Sequence, residues 1–326
     1  MLGALLLAVF TLTGVMSAAA FTSPHPPWHW VPCGFRSHHC HTKTPTPTPT
    51  PSTTSPSPSP TPTTTSPSPT PTVTPPVCTS ALNGGACGPY TFAGIPMSNG
   101  FDTYVEPQNV GANAGDTAVA TVADPGSWSV AADVGPAGAE NVQVFANVQQ
   151  LTNDWCGNGW DAHGHVCSGA DGDTPLDSLS SLTISFAETS PGGGVWEFAP
   201  DIWSANYPSD VMFWTDTMNR CNTGAFGGTV LGHMTMDGQG WTVHRYGGAG
   251  AEIIFVLDGA GGQGTCAQET SGTVDVKAGF DWLTSNGFVT GPEVVTQMNT
   301  GWEICSTAGT TEPFAVTSYS IGAVAG

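Results

Sequence analysis

The stretch Asp210-Val211-Met212-Phe213-Trp214-Thr215-Asp216 alternates two sets of side chains, and this alternation predicts a β-strand. Successive residues of a strand point to opposite faces of its sheet. Val211 and Phe213 would therefore pack into the core. The remaining large side chains would share the other face: Asp210, Met212, Trp214 and Asp216. Two acids, a thioether and an indole on one face suggest a strand that carries function as well as structure.

Two further stretches place acids in the same way. In Gly301-Trp302-Glu303-Ile304-Cys305 the alternation turns Trp302 and Ile304 inward and leaves Glu303 and Cys305 on the other face. In the stretch 196–203 one side is shared by three residues: Glu197, Asp201 and Trp203. Carboxyls beside aromatic rings favour glycoside chemistry, because one carboxyl protonates the leaving oxygen, another attacks the sugar, and indoles stack on sugar rings. Solvated acids on the open side of an antiparallel sheet would give the same pattern.

The rest of the chain from Cys78 to Gly326 has the pattern of an all-β protein. Eleven short β-branched and aromatic runs between Thr117 and Ala323 are separated by Gly, Asn, Asp, Ser and Pro, and each predicts a strand. One stretch predicts a helix, with Asp275 as its N-cap and Gly287 just past its end. Many strands and one helix in this span predict two packed antiparallel sheets, as in a β-sandwich or a β-jelly roll.

The chain before Cys78 divides into three parts. Residues 1–20 combine an apolar run with terminal small residues, which predicts a signal peptide cleaved after Ala20 and hence a secreted, extracellular protein. No positive residue precedes the apolar run, so an uncleaved anchor is the alternative. Residues 21–42 form a short head rich in His, Cys and Trp, and residues 43–77 form a linker of Thr, Ser and Pro that has nothing apolar to bury.

The charge distribution excludes two classes of partner. The chain carries a formal charge of −20, and all 25 Asp and Glu lie after residue 77, against only three basic residues there: Arg220, Arg245 and Lys277. Such a surface repels the phosphate backbone of nucleic acids, and it is poorly suited to anionic membranes. We expect a monomer whose partner is a neutral ligand.

The nine cysteines agree with an oxidising compartment. Neighbours in sequence suggest three short disulfide loops: Cys33 with Cys40, Cys78 with Cys87, and Cys156 with Cys167. Three cysteines are left over: Cys221, Cys266 and Cys305. Because the count is odd, at least one cysteine is free.

Several motifs together resemble glycoside hydrolase family 12. Asp210-Val211-Met212-Phe213-Trp214, followed by Asn219-Arg220, is similar to the family's nucleophile strand Glu-Ile-Met-Ile/Val-Trp with Asn-Arg behind it. Gly301-Trp302-Glu303-Ile304-Cys305 resembles the acid/base strand Gly-Phe-Glu-Ile-Trp, and residues 199–203 resemble Tyr-Asp-Ile-Trp. The resemblance runs from about Asn141 to Tyr319.

The resemblance implies a β-jelly roll with an open substrate cleft. It also implies a retaining hydrolase of β-1,4-glucans such as cellulose, mixed-linkage glucan or xyloglucan, with no cofactor and no metal. It implies Glu303 as general acid/base, Asp210 as nucleophile, and Asp201 as the group that orients the nucleophile. Adjacent carboxylates raise one pKa, which would help to keep Glu303 protonated. Four residues are expected to contact the sugar: Met212, Trp214, Trp203 and Trp160.

The departures from the family pattern bear on activity. Asp210 stands where the family has Glu, Cys305 replaces an aromatic residue, and Pro200 replaces the Tyr before Asp201. A segment that looks inserted, residues 155–173, contains His163 and His165, which could ligate a metal with Asp161.

Two other functions remain open. One is a glycan-binding protein that keeps the cleft but does not hydrolyse its ligand. The other is a stalked surface protein whose His/Cys head does the work, for example by binding a transition metal.

Overall fold

The computed structural model describes residues 77–90, 102–135, 141–151, 174–204, 207–220, 228–246, 252–289, 293–309 and 312–326. The predicted signal peptide, head, linker and inserted segment, with the cysteine pairs Cys33–Cys40 and Cys156–Cys167, lie outside these residues. Trp160 and the candidate metal ligands of the inserted segment lie outside them as well. Within the described part, no helix is long and apolar enough to cross a membrane.

The described chain forms seventeen strands and one α-helix. In chain order they are β1 (Cys78–Ala81), β2 (Cys87–Tyr90), β3 (Asp102–Asn109), β4 (Thr117–Asp124), β5 (Ser127–Asp133), β6 (Val144–Leu151), β7 (Thr174–Pro175), β8 (Leu179–Thr189), β9 (Val195–Ser204), β10 (Tyr207–Trp214), β11 (Asp216–Met218), β12 (Thr229–Met236), β13 (Gln239–Arg245), β14 (Ile253–Leu257), β15 (Ser271–Asp275), α1 (Val276–Ser285), β16 (Val294–Ser306) and β17 (Glu312–Ala325). All eleven predicted runs are strands.

The strands form two sheets. The smaller has the order β1-β4-β5-β17-β8-β15, and the larger has the order β12-β13-β14-β10-β9-β16-β6-β3-β2, with β11 beside β9 and β7 beside β16. β10 and β14 pair in parallel, and the other named strand pairs are antiparallel. The two sheets pack face to face over one apolar core, which confirms the predicted jelly roll.

Large aromatic side chains fill the space between the sheets. Trp302 is fully buried and contacts Trp128, Phe198 and Phe314, with ring centroids 4.9–5.4 Å apart. Aromatic pairs at such spacing stabilise a core beyond the area that they bury. Because Trp302 immediately precedes Glu303, this packing fixes the backbone that carries the predicted acid/base.

The helix begins and ends where the sequence predicts. The Asp275 side chain accepts a hydrogen bond from the Ala278 backbone N–H at 2.9 Å, as an N-cap does. Gly287 has φ +71°, a left-handed conformation that ends helices and that glycine adopts without steric cost. The buried residues of α1 include Phe280 and Leu283, which join the main apolar core.

Six strands were not predicted as separate elements: β1, β2, β3, β7, β11 and β15. The sequence of β3, Asp-Thr-Tyr-Val-Glu-Pro-Gln-Asn, contains a proline and mostly polar residues. It is nevertheless a strand because it pairs along its whole length with β6. β1 and β2 are joined by the Cys78–Cys87 disulfide, which is one of the predicted pairs.

Candidate active site

The larger sheet has one face in the core and one face turned away from it, which we call the site face. Val211 and Phe213 belong to the main core, whereas Met212 and Trp214 form a separate small apolar cluster with Ala199, Ile254 and Val256. The alternation predicted for β10 between Asp210 and Trp214 is therefore confirmed. The site face is partly apolar, and its acids lie among these side chains.

The predicted catalytic residues lie on three neighbouring strands of this face. Strand β9, which carries Asp201, lies between β10, which carries Asp210, and β16, which carries Glu303. Asp201 lies opposite Met212 on one side and opposite Asn299 on the other. Asp210 is two residues before Met212, so it is a diagonal neighbour of Asp201 on the same face. The fold thus brings together three acids that are up to about 100 residues apart in the sequence.

Burial and mutual repulsion raise the pKa values of the acids around Asp210. Burial, and then the charge of Asp210, hold the pKa of Asp201 well above its usual range, while a hydrogen bond from Trp203 acts to lower it. Burial, and then the charge of Glu303, raise the pKa of Asp210 to about 7. Glu252, which immediately precedes β14, belongs to the same group, and burial followed by the charge of Asp210 raises its pKa to about 8. One proton is therefore readily held among these carboxyls near neutral pH.

Glu303 has a different immediate neighbour, Glu197. The two residues lie directly opposite each other on β16 and β9. The side chain of Glu197 is completely buried, whereas that of Glu303 remains 19% exposed. Burial first, and then the charge of Glu197 and a hydrogen bond with it, hold the pKa of Glu303 well above its usual range. The neighbouring carboxyl that acts on the pKa of Glu303 is thus Glu197, which the sequence did not single out for this role.

Arg220 supplies the positive charge of the site. Its Nε lies 2.7 Å from Oε2 of Glu197, and its Nη2 lies 3.7 Å from Oε2 of Glu303. Its Nη1 donates to Sγ of Cys305 at 3.1 Å, and its guanidinium lies 5.6 Å from the centre of the Trp214 ring. A single guanidinium therefore joins the acid/base strand, its neighbour and the apolar cluster of the site face.

The local fold directs Arg220 into the site. β11 runs beside β9, with Met218 opposite Trp196. Asn219 then adopts φ +59°, a left-handed conformation that asparagine tolerates better than most residues, and its side chain donates to the Gly194 carbonyl at 2.8 Å. This turn places Arg220 next to Glu197. The Asn-Arg pair of the sequence motif is thus a turn residue followed by a charged site residue.

Asp216 was expected on the site face, and this expectation is wrong. The register of β10 pairs Met212 with Asp201, but that of β11 pairs Asp216 with Phe198, so one extra residue is accommodated at Thr215. Such a bulge reverses the side-chain alternation. Asp216 therefore shares the core side with Phe198, where it interacts with Glu188 of the smaller sheet.

The predicted sugar contacts differ in accessibility. Trp203 is half-buried and lies on the site face, as expected. Met212 and Trp214 lie on that face too, but they are only 1% and 4% exposed. The contribution of these three side chains to sugar binding stays a prediction.

The cysteines of the described part have distinct states. Cys266 is in a disulfide, whereas Cys305 is a free and buried thiol, in agreement with the odd cysteine count. Burial raises the pKa of the Cys305 thiol to about 12. This thiol therefore stays protonated at physiological pH and is a poor nucleophile. Among the described residues, no group of three or more His, Cys, Asp or Glu is arranged to hold a metal ion.

This chain is similar to known proteins in its three-dimensional structure. No protein-family model matches the sequence, and no curated protein matches it. A metagenome-derived glycoside hydrolase family 12 endoglucanase matches with a TM-score of 0.57 and 16% identity, over 77% of this chain and all of the endoglucanase. A family 12 xyloglucanase from Bacillus licheniformis matches with a TM-score of 0.54 and 14% identity, over 76% and 99% of the two chains.

The chain has the fold of glycoside hydrolase family 12. A third match, the xyloglucanase domain of NopAA, a type three effector from Sinorhizobium fredii in complex with cellobiose, has a TM-score of 0.51 and 21% identity, over 72% of this chain and 96% of that domain. At such identities the shared feature is the fold, and the chain is a divergent, family 12-like protein. What its own site can do has to be argued from its own residues.

Proposed function

We propose that this chain is a secreted glycoside hydrolase that cleaves β-1,4-glucans, such as cellulose, mixed-linkage glucan or xyloglucan, with retention of configuration. One observation carries the proposal. Asp201, Asp210 and Glu303 lie on three adjacent strands of one face, in a fold that this chain shares with endoglucanases and xyloglucanases. A pair of carboxyls with different protonation states is what glycoside hydrolysis requires.

The reaction assigns a separate task to each carboxyl. Glu303 donates its proton to the glycosidic oxygen as the bond from that oxygen to the anomeric carbon breaks, while the Asp210 carboxylate forms a bond to the same carbon. The Glu303 carboxylate then takes a proton from water, whose oxygen attacks the anomeric carbon and releases Asp210. Asp201 holds Asp210 in place through the neighbouring strand.

The electrostatics of the site support this division of tasks. Glu303 must be protonated at the start, and burial together with the Glu197 charge raises its pKa. Asp210 must be ionised, and its pKa of about 7 means that acidification protonates it. Activity is therefore expected to fall as the pH drops below about 7.

A second function, glycan binding without hydrolysis, is favoured by one observation on the same residue. Asp210 is one methylene shorter than the glutamate of the family motif, and with a pKa of about 7 it is partly protonated at neutral pH. A short and partly protonated carboxyl is a poor nucleophile. Such a protein would bind the glucan chain and leave it intact.

Reducing-end assays on the full secreted chain test the two functions. Xyloglucan, mixed-linkage glucan and a soluble cellulose derivative would be incubated with wild type and with Glu303→Gln. Release of reducing ends by wild type but not by Glu303→Gln supports the hydrolase. Retarded migration in glucan-containing gels without release of reducing ends supports the binding protein. If none of the three glucans is hydrolysed and none retards migration, both functions are refuted.

We also propose roles for the three N-terminal segments. A signal peptide ending at Ala20 would export the chain, and the Thr/Ser/Pro linker of residues 43–77 would tether the folded domain to the short head. Recovery from the medium of a protein beginning at Phe21 would support export and cleavage. Retention of the intact N-terminus in the membrane fraction would favour an anchor.

A further inference from the structure

We infer that Glu197 is a positioning residue that keeps the catalytic proton on Glu303, an inference that rests on the proposed function. In the family motif the acid/base and the nucleophile are the named carboxyls. In this chain a third carboxyl, that of Glu197, lies on β9, the strand next to the acid/base strand β16. The nucleophile strand β10 lies one strand further away. Glu197 thus acts through Glu303 and has no direct role in bond cleavage.

Glu197 and Glu303 are direct neighbours across two strands. Residues directly opposite on antiparallel strands have Cβ atoms about 4.5–5.5 Å apart, so their side chains meet if they share a face. Glu197 and Glu303 are such a pair, and both carboxyls lie beside the guanidinium of Arg220. Two adjacent carboxylates repel each other, and this repulsion favours a proton on one of them.

Acidic groups outnumber basic ones around Glu303. Six titratable groups face Glu303 or one another from the elements around it: Glu197 and Asp201 on β9, Asp210 on β10, Glu252 before β14, Arg220 after β11, and Cys305 on β16 itself. Strand β6 contributes Phe145 opposite Glu303, which has no charge. Of the other two basic residues of the folded part, Arg245 lies over the Phe288 ring and Lys277 pairs with Asp281. Arg220 alone among these three can compensate a carboxylate here, so the other acids compete for protons.

The position of Arg220 decides which carboxyl holds the proton. Arg220 is 1.0 Å closer to Glu197 than to Glu303, at 2.7 Å against 3.7 Å, and a close guanidinium stabilises an ionised carboxylate. Burial raises the pKa of both carboxyls; the charge of Arg220 acts to lower that of Glu197, and the charge of Glu197 raises that of Glu303 further. The resting site is therefore a Glu197 carboxylate, an Arg220 cation and a protonated Glu303.

The arrangement also accounts for the return of the proton. After Glu303 has given its proton to the glycosidic oxygen, two carboxylates lie side by side, and their repulsion favours removal of a proton from the incoming water. Once Glu303 has bound this proton, the site again holds an ionised Glu197 and a protonated Glu303. The remaining hydroxyl group of the water is transferred to the anomeric carbon of the sugar. No co-reactant other than water is needed.

The pH dependence of hydrolysis tests the inference. Glu197→Gln keeps the shape of the side chain but removes the charge, so Glu303 loses its proton at lower pH. We expect the ratio of kcat/KM at pH 8 to that at pH 6 to fall about tenfold or more relative to wild type. Glu197→Asp keeps the charge, so the same ratio should fall by much less in this variant. Glu293→Gln is the matched control, because Glu293 is also buried, has a pKa raised by burial, and bonds to Ser204 of β9 from the start of β16.

A carbon-13 NMR titration separates failure of this inference from failure of the proposed function. In protein labelled at the Glu side-chain carboxyls, the Glu303 signal is assigned by its loss in Glu303→Gln. A lower titration midpoint in Glu197→Gln supports the inference even if no glucan is hydrolysed. An unchanged midpoint, or equal shifts in Glu197→Gln and Glu197→Asp, overturns it. Should Glu197→Gln not fold, a Glu303 midpoint in wild type within the ordinary range for glutamate overturns it as well.

Discussion

Glu197 and Glu303 lie directly opposite each other on neighbouring strands and share a single guanidinium, that of Arg220. The pair lies on the site face, and Trp302, which precedes Glu303, is fixed in the aromatic core on the other side of the strand. The protonation state of the acid/base is therefore set by a neighbour that the core holds in register. This relationship connects the packing of the sheets to the chemistry of the site.

Removal of the transferable proton tests the acid/base assignment. Glu303→Gln keeps the size and polarity of the side chain but cannot donate a proton, so hydrolysis should fall by about 10²–10⁴-fold while oligosaccharide binding is retained. Initial rates and affinity gels measure the two properties. Glu269→Gln, at an exposed position, serves as the matched control. Near wild-type rates in Glu303→Gln would remove Glu303 from the mechanism.

The short side chain of the nucleophile Asp210 should limit the rate of hydrolysis. Asp210 withdraws its carboxylate by about 1.5 Å compared with glutamate, and misplacement of about 1 Å can cost about 10²-fold in rate. We expect weak wild-type hydrolysis and a gain in Asp210→Glu, measured as kcat/KM. Asp177→Glu, at an exposed position, is the matched control.

The stereochemistry of the product belongs to the same experiment. NMR of the first product shows whether its anomeric configuration is retained, as expected when the carboxyls lie about 5–5.5 Å apart, or inverted, as expected at about 6.5–9.5 Å. A fast wild type that Asp210→Glu slows would show instead that the aspartate is an adapted nucleophile.

A second pair of carboxyls, Glu188 and Asp216, predicts how stability depends on pH. Burial raises the pKa of Glu188 from 4.5 to about 8, so the folded state binds this proton more tightly than the unfolded state. The corresponding stabilisation is complete below pH 4.5 and is lost as the pH rises to about 8. Each proton involved changes the free energy of unfolding by at most about 1.4 kcal/mol per pH unit.

Urea unfolding of Glu188→Gln between pH 4 and pH 9 checks this prediction. The free energy of unfolding of the variant should decline less steeply with pH than that of wild type, because glutamine does not titrate. Asp177→Asn removes an exposed acid and should leave the slope unchanged. Parallel curves for Glu188→Gln and wild type would contradict the shifted pKa.

The glycine of the acid/base motif allows two strands to approach closely. A Cβ atom at Gly301 would lie 2.0 Å from the Ala146 carbonyl oxygen and 2.6 Å from the Asn147 Cα, both in the backbone of β6. Gly301→Ala should therefore cost about 1–3 kcal/mol of stability and should lower hydrolysis by displacing Glu303. Gly192→Ala, where a Cβ has open space, is the control in thermal unfolding and rate measurements. Equal stability of both variants would show that the strands separate without cost.

The sequence by itself determined the fold class and the faces of the central strands. Alternation assigned Val211 and Phe213 to the core and the residues that follow each of them, Met212 and Trp214, to the site face. Successive side chains of a regular strand point to opposite faces of the sheet. Capping and chain termination likewise placed the helix between Asp275 and Gly287. These signals are local, so a window of a few residues contains all the information.

Only the tertiary structure decided which residues meet. The register between β9 and β16 pairs Glu197 with Glu303, and the one-residue bulge at Thr215 removes Asp216 from the site face. Arg220 reaches the acids only because β11 runs beside β9 and Asn219 turns the chain. Register and bulges depend on contacts between segments far apart in the chain, and a shift of one residue moves every later side chain to the other face. The identity of the carboxyl beside Glu303 follows from that register, and no stretch of the sequence contains it.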